Sequence, residues 1–484
     1  MSIDFQLEWI SEIMKGRRFL LVTLIAVLSL IVIRCGEKRS LPTGPVDTGP
    51  GLAAGDTVYT RIRPDWPEGQ VSLNTPADLI VNRDGYIFLA DQGNRRVLVF
   101  NKSGEIIQSR DDFGNAGFDD LREIPAYDAP AQHIAPTGLA VDARMNLFVV
   151  DSSNHVYVWN QYVNNVGIDS VATGFSLLNT ESGNERAVSA SEYWRSYTRG
   201  DSIVSIQWST DPGRIDSLLR PRMFFSTAVP AMLRENYGQS PEASRFNAVA
   251  AWRPQNLLSP ERDGSIYLAD ASFYNRIVRV DYRRYRLVTL STGQRLWLHR
   301  GRFHSFAASR GTGAGTVNKP TGLYFNYFEQ DPKLYFSQLG ENFHAHRISL
   351  TTRDFDLPET ADMMDLDRLQ GVRDITADDN GHIFVTNTRQ NVVEEFSPNG
   401  AFRRYVGTSE QIIDTTYTDT VIVGSDTSYT TVDTSLVRQI PDVLNSPGAV
   451  AASDGIIYVA DSGNNRVVRF QLSTDVRIDI EPQE

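Results

Sequence analysis

The amino-acid sequence predicts an all-β fold assembled from copies of one unit, because the same block of residues occurs near both ends of the chain. Residues 73–97 and 444–467 each contain Leu-Asn-Thr/Ser-Pro, an Asp-Gly turn, an apolar run ending in Ala-Asp, and Gly-Asn-x-Arg-Val. Asp-Gly between two apolar runs is the strongest short-range signal of a β-hairpin. Internal repetition on this scale is typical of folds in which small sheets stack against one another.

Each copy contains three predicted strands. A loop with proline or glycine leads into the first, an Asp/Asn-Gly turn joins the first to the second, and a polar turn rich in asparagine and arginine leads to the third. The second strand ends at an aspartate or a substitute for it, and the six such positions are 91, 151, 270, 338, 387 and 461.

This unit resembles the NHL repeat, a building block of β-propellers. Copies one and six match the pattern closely, whereas Gln338 and Asn387 replace the aspartate in copies four and five. The resemblance implies a β-propeller over residues 57–484 with six blades, or with seven as the alternative. In such a ring each sheet buries its faces against its neighbours and leaves only short edges exposed.

The intervals between copies predict insertions. Asp151 and Asp270 are 119 positions apart, whereas a bare blade needs about 40–50 residues. We expect an elaborated insertion at about 161–250, with strands at 202–208 and 223–225, and a seventh blade there is the alternative. A second insertion at 408–440 is predicted to form a threonine-rich hairpin around Gly424 and Ser425.

The last copy leaves room for one more strand in its sheet. Either residues 58–62 or residues 476–480 can supply it. We favour the N-terminal segment, because pairing the two ends of the chain protects the ring from opening at an exposed edge.

The first 35 residues are predicted to target the protein for export. Lys15, Arg17 and Arg18 precede an uncharged run over 19–33, and Cys35 follows it. This layout resembles a bacterial lipoprotein signal, in which the cysteine is lipidated, although Arg34 departs from the small residue of that pattern. An uncleaved anchor helix is the alternative.

The start of the chain and the segment after the signal complete this interpretation. Acidic residues before the basic cluster raise the hypothesis that translation starts at Met14 rather than Met1. Residues 36–56 are rich in proline and glycine and are predicted to be a flexible linker. Together these segments predict an exported protein tethered to the membrane of a bacterial cell envelope.

Net charge limits the range of partners. The formal charge is −12, so nucleic-acid binding is disfavoured, although a local basic patch remains compatible with this total. Cys35 is the sole cysteine, which excludes an intrachain disulfide.

The recurring polar residues of the turns are candidates for a structural role. Equivalent residues in several copies are expected to hold the turns through hydrogen bonds of the aspartate and through its pairing with arginine. The residues concerned are Asp91, Asn94, Arg96, Asp151, Asn154, Asp270, Asn275, Arg276, Asp461, Asn464 and Arg466.

Catalytic chemistry has weak support in the sequence. His344 and His346 are predicted to share one strand face and are weak candidates for a divalent metal, because two ligands make an incomplete site. No nucleophile elbow, phosphate-binding loop or paired carboxylates were recognised. We therefore expect no cofactor. Whether the protein is an enzyme is left open, and we favour the interpretation that it is not.

Aromatic residues with arginine in the first insertion predict a recognition surface. The structural alternative is that they form the core of a buried subdomain. Trp194, Trp208 and Trp252 are the weak binding candidates. The leading functional hypothesis is a binding scaffold for a protein, peptide or glycan. The alternatives are a propeller-type lyase or lactonase with a divalent metal in the central channel, and a structural assembly module of the envelope.

Overall fold

Strands supply most of the regular structure in the computed structural model. It describes residues 58–69, 71–82, 84–107, 123–124, 132–233, 237, 243–251, 264–326, 331–340, 342–358, 360–423, 426–440 and 443–473. Within these ranges, residues 123–124, 132–133, 409–423 and 426–440 are described by their backbone alone. All the described residues belong to one unit, Thr57–Glu484.

Several sequence predictions fall outside the described residues. They are the targeting segment 1–35 with Met1, Met14 and Cys35, the linker 36–56, Trp252, the hairpin tip Gly424 and Ser425, and the segment 476–480.

The strands are numbered in chain order. The first fifteen are β1 (Tyr59–Trp66), β2 (Pro76–Val81), β3 (Ile87–Asp91), β4 (Arg96–Phe100), β5 (Glu123–Ile124), β6 (Gln132–His133), β7 (Gly138–Val141), β8 (Asn146–Val150), β9 (His155–Asn160), β10 (Ile168–Leu178), β11 (Glu185–Val188), β12 (Ile203–Ser209), β13 (Arg222–Ser226), β14 (Phe246–Ala251) and β15 (Ser265–Asp270). The remainder are β16 (Arg276–Leu290), β17 (Arg295–Ala308), β18 (Pro320–Asn326), β19 (Lys333–Gln338), β20 (Ala345–Ser349), β21 (Ile375–Ala377), β22 (Ile383–Asn387), β23 (Val392–Phe396), β24 (Phe402–Val406), β25 (Ser409–Val423), β26 (Asp426–Ile440), β27 (Pro447–Ser453), β28 (Ile456–Asp461) and β29 (Arg466–Leu472).

The strands of the repeats form antiparallel sheets that follow one another around a ring. In the described part of the chain the sheets are, in order, β2-β3-β4, β7-β8-β9-β13, β14-β15-β16 with its extension, β18-β19-β20, β21-β22-β23-β24, and β27-β28-β29-β1. We call them the first to sixth sheets. Their inner strands β2, β7, β14, β18, β21 and β27 each contact the next, and β27 contacts β2. The all-β propeller that the repeats predict is therefore confirmed.

The core consists of apolar clusters between neighbouring sheets. Strand β3 explains how this arises, because successive side chains of a strand point to opposite faces. Ile87 and Leu89 pack toward the sixth sheet, whereas Phe88 and Ala90 pack toward the second sheet. Each sheet thus buries both faces, which is why its strands are nearly continuous apolar runs rather than alternating ones.

The N-terminal strand closes the ring, as predicted. Strand β1 pairs antiparallel with β29, and Tyr59 lies opposite Leu472. Trp66, at the end of β1, is buried between Phe100 and Tyr458, with ring centroids 5.5 and 5.9 Å away. The two ends of the chain therefore share one sheet and one apolar cluster.

The long interval after the second copy forms an insertion rather than a separate ring sheet among the described residues. Strand β10 pairs with β11, with β12 and with the far end of β16, so the insertion extends the third sheet. The strands predicted at 202–208 and 223–225 correspond to β12 and β13. The predicted boundary at 250 is too late, because β13 returns to the second sheet and β14 is the inner strand of the third.

The described residues of this insertion include three helices: α1 (Gln161–Val166), α2 (Ala190–Arg199) and α3 (Pro212–Leu219). Local sequence explains their ends. Ser189 accepts a hydrogen bond from the backbone N–H of Glu192 at the start of α2, and Gly200 ends that helix in the left-handed region at φ 77°. Asp211 and Pro212 begin α3 in the same manner.

The second insertion is a two-stranded hairpin, as predicted. Strands β25 and β26 pair in continuous register from Ser409 with Ile440 to Val423 with Asp426. In the described part of the chain, no helix combines the length and apolar character needed to cross a membrane.

Candidate functional site

The polar turns of the first and sixth sheets have the same geometry. In the first sheet Asp91 accepts hydrogen bonds from the Asn74 backbone N–H at 2.8 Å, from Asn94 Nδ2 at 2.8 Å and from Arg96 Nε at 2.6 Å. The carboxylate is fully buried, and these charged and neutral donors satisfy it.

In the sixth sheet Asp461 accepts from the Asn445 N–H, Asn464 and Arg466 at 2.6, 2.8 and 2.7 Å. Arg466 contacts a second carboxylate, Asp65, at 3.0 Å, so it would keep an ionic partner without Asp461.

The turns of the second and third sheets use parts of this arrangement. Asp270 pairs with Arg276 Nε at 3.0 Å, and Asn275 accepts from the Lys319 N–H of the fourth sheet at 2.8 Å. Asp151 accepts instead from Ser153 Oγ at 2.5 Å, and the backbone carbonyl of Asn154 accepts from Thr227 at 3.2 Å. The turn residues thus connect parts of the scaffold.

The fifth sheet keeps an ion pair in its turn but exchanges the positions of the charges. Asn387 donates to Glu394 at 2.9 Å, and Glu394 pairs with Arg368 of the preceding loop at 2.7 Å. Glu394 is fully buried, and burial raises its pKa while Arg368 and Asn387 oppose the rise.

The histidine pair does not form the predicted face. His344 precedes β20, whereas His346 lies within it and is fully buried. His346 Nδ1 accepts from the Gly315 N–H at 3.0 Å, and Nε2 lies 2.7 Å from the Phe343 carbonyl. Burial lowers its pKa to about 4. Both ring nitrogens are therefore engaged within the scaffold.

A metal centre of the kind implied by the lyase alternative does not fit the described residues. Among them, no three histidine, cysteine, aspartate or glutamate side chains lie close enough to share an ion. Zinc sites, for comparison, use at least three protein ligands.

A polar cavity of about 680 Å³ opens where the inner strands begin. Hydroxyl and amide groups dominate its lining, and Arg373 is its one charged residue among those described. Every sheet of the ring contributes, through Ala77, Thr137, Asn247, Thr321, Arg373 and Ser446. We call this cavity the channel mouth.

Two aspartates lie next to residues of the channel mouth: Asp78 follows Ala77 in β2, and Asp374 follows Arg373 directly before β21. Asp78 accepts from the Leu139 N–H of the second sheet at 2.6 Å, and Asp374 accepts from the Val450 N–H of the sixth sheet at 3.0 Å. Burial raises the pKa of Asp374 to about 7. The pKa of Asp78 is raised well above its usual range, first by burial and then by the negative charge of Asp374. Ionisation of both carboxyls at once is therefore unfavourable.

A second cavity, of about 530 Å³, lies between the second sheet and the insertion. We call it the insertion cleft. It is lined by the β7–β8 turn with Arg144 and Asn146, by Trp194 of α2, and by the far end of the β16–β17 hairpin with Arg284 and residues 294–299. Since Thr137 and Asn146 mark opposite ends of the second sheet, the cleft and the channel mouth open at opposite ends of its strands.

Aromatic rings hold part of the cleft wall in place. The guanidinium carbon of Arg284 lies 3.0 Å from the centre of the Trp194 ring and 6.0 Å from that of Trp297. Trp208 packs behind this wall in the core of the insertion, with Arg295 5.4 Å over its ring. Trp194 therefore lines a cavity, whereas Trp208 packs in the core of the insertion.

Comparisons with known proteins identify the repeat. Residues 444–470, which form most of the sixth sheet, match the sequence profile of the NHL repeat. The chain carries an NHL repeat in a β-propeller. The search of curated proteins found no match.

Solved structures resemble this fold only distantly. A streptogramin B lyase is 12% identical with a TM-score of 0.39, and the alignment covers 86% of this chain and 98% of that one. A gluconolactonase from Xanthomonas campestris is 11% identical with a TM-score of 0.38, covering 85% and 99%. A protein of unknown function from Bacteroides thetaiotaomicron is 9% identical with a TM-score of 0.41, covering 86% and 76%. At these TM-scores the likeness carries no argument about activity.

Sequence reasoning found the deviations at Gln338 and Asn387 but missed two aspartates in the inner segments of the repeat. Asp78 and Asp374 occupy the position that is glycine in the second and fourth sheets, at Gly138 and Gly322, and aligning the copies at this position would have revealed both. No sequence pattern singled out Arg144, because it lies in an ordinary β-turn. It lines the cleft only because the β16–β17 hairpin, distant in sequence, supplies another wall of the same cavity.

Proposed function

We propose that this protein is a ligand-binding propeller of the bacterial cell envelope, and that its ligand binds in the insertion cleft. The observation that carries the proposal is the cleft itself, a half-open cavity of about 530 Å³ built by the insertion against the ring. Its volume lies within the range of about 300–1,000 Å³ that is typical of ligand pockets. Six ring sheets, each counted as one blade, would provide the rigid base for it.

Two observations favour a binding function over the lyase or lactonase alternative. The described residues offer no ligand set for a metal. Asp78 and Asp374, next to the channel mouth, accept hydrogen bonds from backbone amides of neighbouring sheets, which is typical of a structural role. An arginine-rich and aromatic wall, by contrast, is typical of recognition surfaces.

A matched pair of variants, in which tryptophan replaces an alanine of each cavity, tests the location of the site. Full-length protein purified in detergent would be screened against arrays of bacterial polysaccharides and envelope peptides. Ala143→Trp fills the insertion cleft and Ala77→Trp fills the channel mouth, since each alanine lines its cavity. We expect binding to be lost with Ala143→Trp and retained with Ala77→Trp. The reverse pattern, or equal binding by both variants, would contradict the proposal.

Membrane tethering through Cys35 is a separate part of the proposal. It is supported by the basic cluster, apolar run and cysteine at the start of the chain. Cells supplied with labelled palmitate should label the wild-type protein but not Cys35→Ser. Unlabelled protein in the membrane fraction would favour the anchor helix, and protein confined to the cytosol would contradict both.

A further inference from the structure

The insertion cleft has a charge opposite to that of the whole protein. The chain has a formal charge of −12, yet the described residues that line the cleft include Arg144, Arg284 and Arg295 and no aspartate or glutamate. Strands β16 and β17, which supply one wall, together contain eight arginines and one aspartate. This is the local basic patch that the net charge left open.

Two of the cleft arginines have no carboxylate partner among the described residues, unlike the arginines of the repeat turns. Arg96 and Arg276 each pair with a buried aspartate at 3.0 Å or less. No carboxylate of the described residues lies within 4.0 Å of the Arg144 or Arg295 guanidinium, although both line the cleft. Positive charge concentrated in a half-open cavity attracts an anion, and the low-dielectric walls strengthen this attraction.

The third arginine contacts an aromatic ring of the cleft wall. The guanidinium carbon of Arg284 lies over Trp194, 3.0 Å from the ring centre. This contact makes a cation part of the aromatic wall and adds to the positive charge of the cleft.

The remaining polar groups of the cleft suit hydroxyl groups. Asn160 donates to Asn146 Oδ1 at 2.5 Å, and Tyr162 donates to Gln294 Oε1 at 3.1 Å. These contacts orient three amide side chains at the cleft. Asn146 also donates to Asp142, and Asn160 also accepts from the Val163 N–H, so these two buried amides belong to the scaffold. The exposed Tyr162 hydroxyl and Gln294 amide can each donate and accept, as a sugar hydroxyl does, so beside the arginines they fit a carboxylated sugar.

We propose that the insertion cleft binds an acidic saccharide, with a uronate carboxylate placed between Arg144 and Arg295. This inference rests on the proposed binding function and names the ligand class of the same site. The confined volume of the half-open cleft favours a saccharide over a nucleic acid, whose affinity depends on many phosphate contacts along an extended surface.

Calorimetric titration with an oligogalacturonate tests the inference, with its methyl ester and an oligoglutamate peptide as the comparison ligands. We expect the oligogalacturonate to bind, and Arg144→Gln and Arg295→Gln each to weaken it by about tenfold or more, as loss of one charge-assisted hydrogen bond predicts. Arg302→Gln is the matched control, because it removes the same charge from an exposed position on β17 outside the cleft. It should change affinity less than about threefold, as expected of a distant surface charge. Unchanged melting temperatures would show that the variants fold.

The comparison ligands separate the two proposals. Equal binding of the methyl ester that is still lost in Ala143→Trp would overturn the acidic specificity and leave the cleft as the binding site. Tighter binding of oligoglutamate would overturn the saccharide assignment in favour of a peptide. Oligogalacturonate binding that Ala143→Trp does not affect would overturn both proposals, because the ligand would then sit elsewhere.

Discussion

Replacing Asp374 by asparagine should stabilise the propeller at neutral pH and reduce the dependence of its stability on pH. Burial raises the pKa of Asp374 to about 7 from the usual 3.8, and it also raises the pKa of Asp78. Asparagine cannot ionise, yet its side-chain oxygen can still accept the hydrogen bond that the Val450 N–H donates to Asp374.

The magnitude follows from proton linkage. Between about pH 4 and pH 7 the unfolded chain has lost the proton of Asp374 while the folded protein keeps it. The free energy of unfolding therefore decreases as pH rises, by up to about 1.4 kcal/mol per pH unit and about 4 kcal/mol over the window. An unfolding entropy of about 0.9 kcal/mol/K for the 428 residues from Thr57 to Glu484 converts this to a loss of about 4–5 °C.

Thermal unfolding of the wild type, Asp374→Asn and Asp454→Asn between pH 4 and pH 8 measures the effect. Asp454 is the control because its exposed carboxylate pairs with Lys102 at the surface. We expect the melting temperatures of Asp374→Asn and wild type to agree near pH 4 and to diverge as pH rises, with the variant the more stable at pH 8. Parallel curves for all three proteins, or a wild-type stability that rises from pH 5 to pH 8, would refute the reasoning.

Three further predictions concern the scaffold. Trp66→Ala should lower the free energy of unfolding by about 3–5 kcal/mol, as for other large buried aromatics, and a loss below about 1 kcal/mol in denaturant titrations would contradict closure by β1. Asp91→Asn should destabilise more than Asp461→Asn, because the arginine that pairs with Asp461 keeps a second carboxylate; equal melting temperatures would argue against this. Asn387→Asp should destabilise alone by placing a second carboxylate beside Glu394, and Glu394→Gln should recover part of that loss in the double variant, which a double-mutant cycle measures.

The repeat pattern predicted the features that depend on residues close in sequence. The turn from Asp91 to Arg96 spans one hairpin, so its hydrogen bonds follow from local spacing, and closure by β1 follows from one missing strand. The fifth sheet was harder to predict, because Glu394 takes its arginine from residue 368 in the preceding loop. Its turn looks defective in sequence although the buried ion pair is kept.

The insertion shows where single-sequence reasoning reaches its limit. Its strands and aromatic content were predictable, and Trp194 lines the cleft. The facing groups could not be predicted, because Arg144 and Arg295 line one cavity only when the β16–β17 hairpin extends far enough for β16 to pair with β10. Hairpin length beyond the ring is a tertiary property, and alternation of residues along a strand does not reveal it.

The position that is glycine in other copies of the repeat explains how Asp78 and Asp374 link neighbouring sheets. A side chain there points toward the inner strand of the next sheet: a Cβ added at Gly138 would lie 2.8 Å from the Cα of Ala248, and one added at Gly322 would lie 2.6 Å from Asp374 Oδ1. Glycine at these positions therefore reflects close approach of neighbouring strands. The side chains of Asp78 and Asp374 also extend toward the next sheet, where they accept hydrogen bonds from backbone amides. They therefore link neighbouring sheets, whereas glycine at this position allows the strands to approach but has no side chain to link them. The raised pKa of each carboxyl results from enclosing it between neighbouring sheets, and the pH dependence predicted above is the thermodynamic consequence.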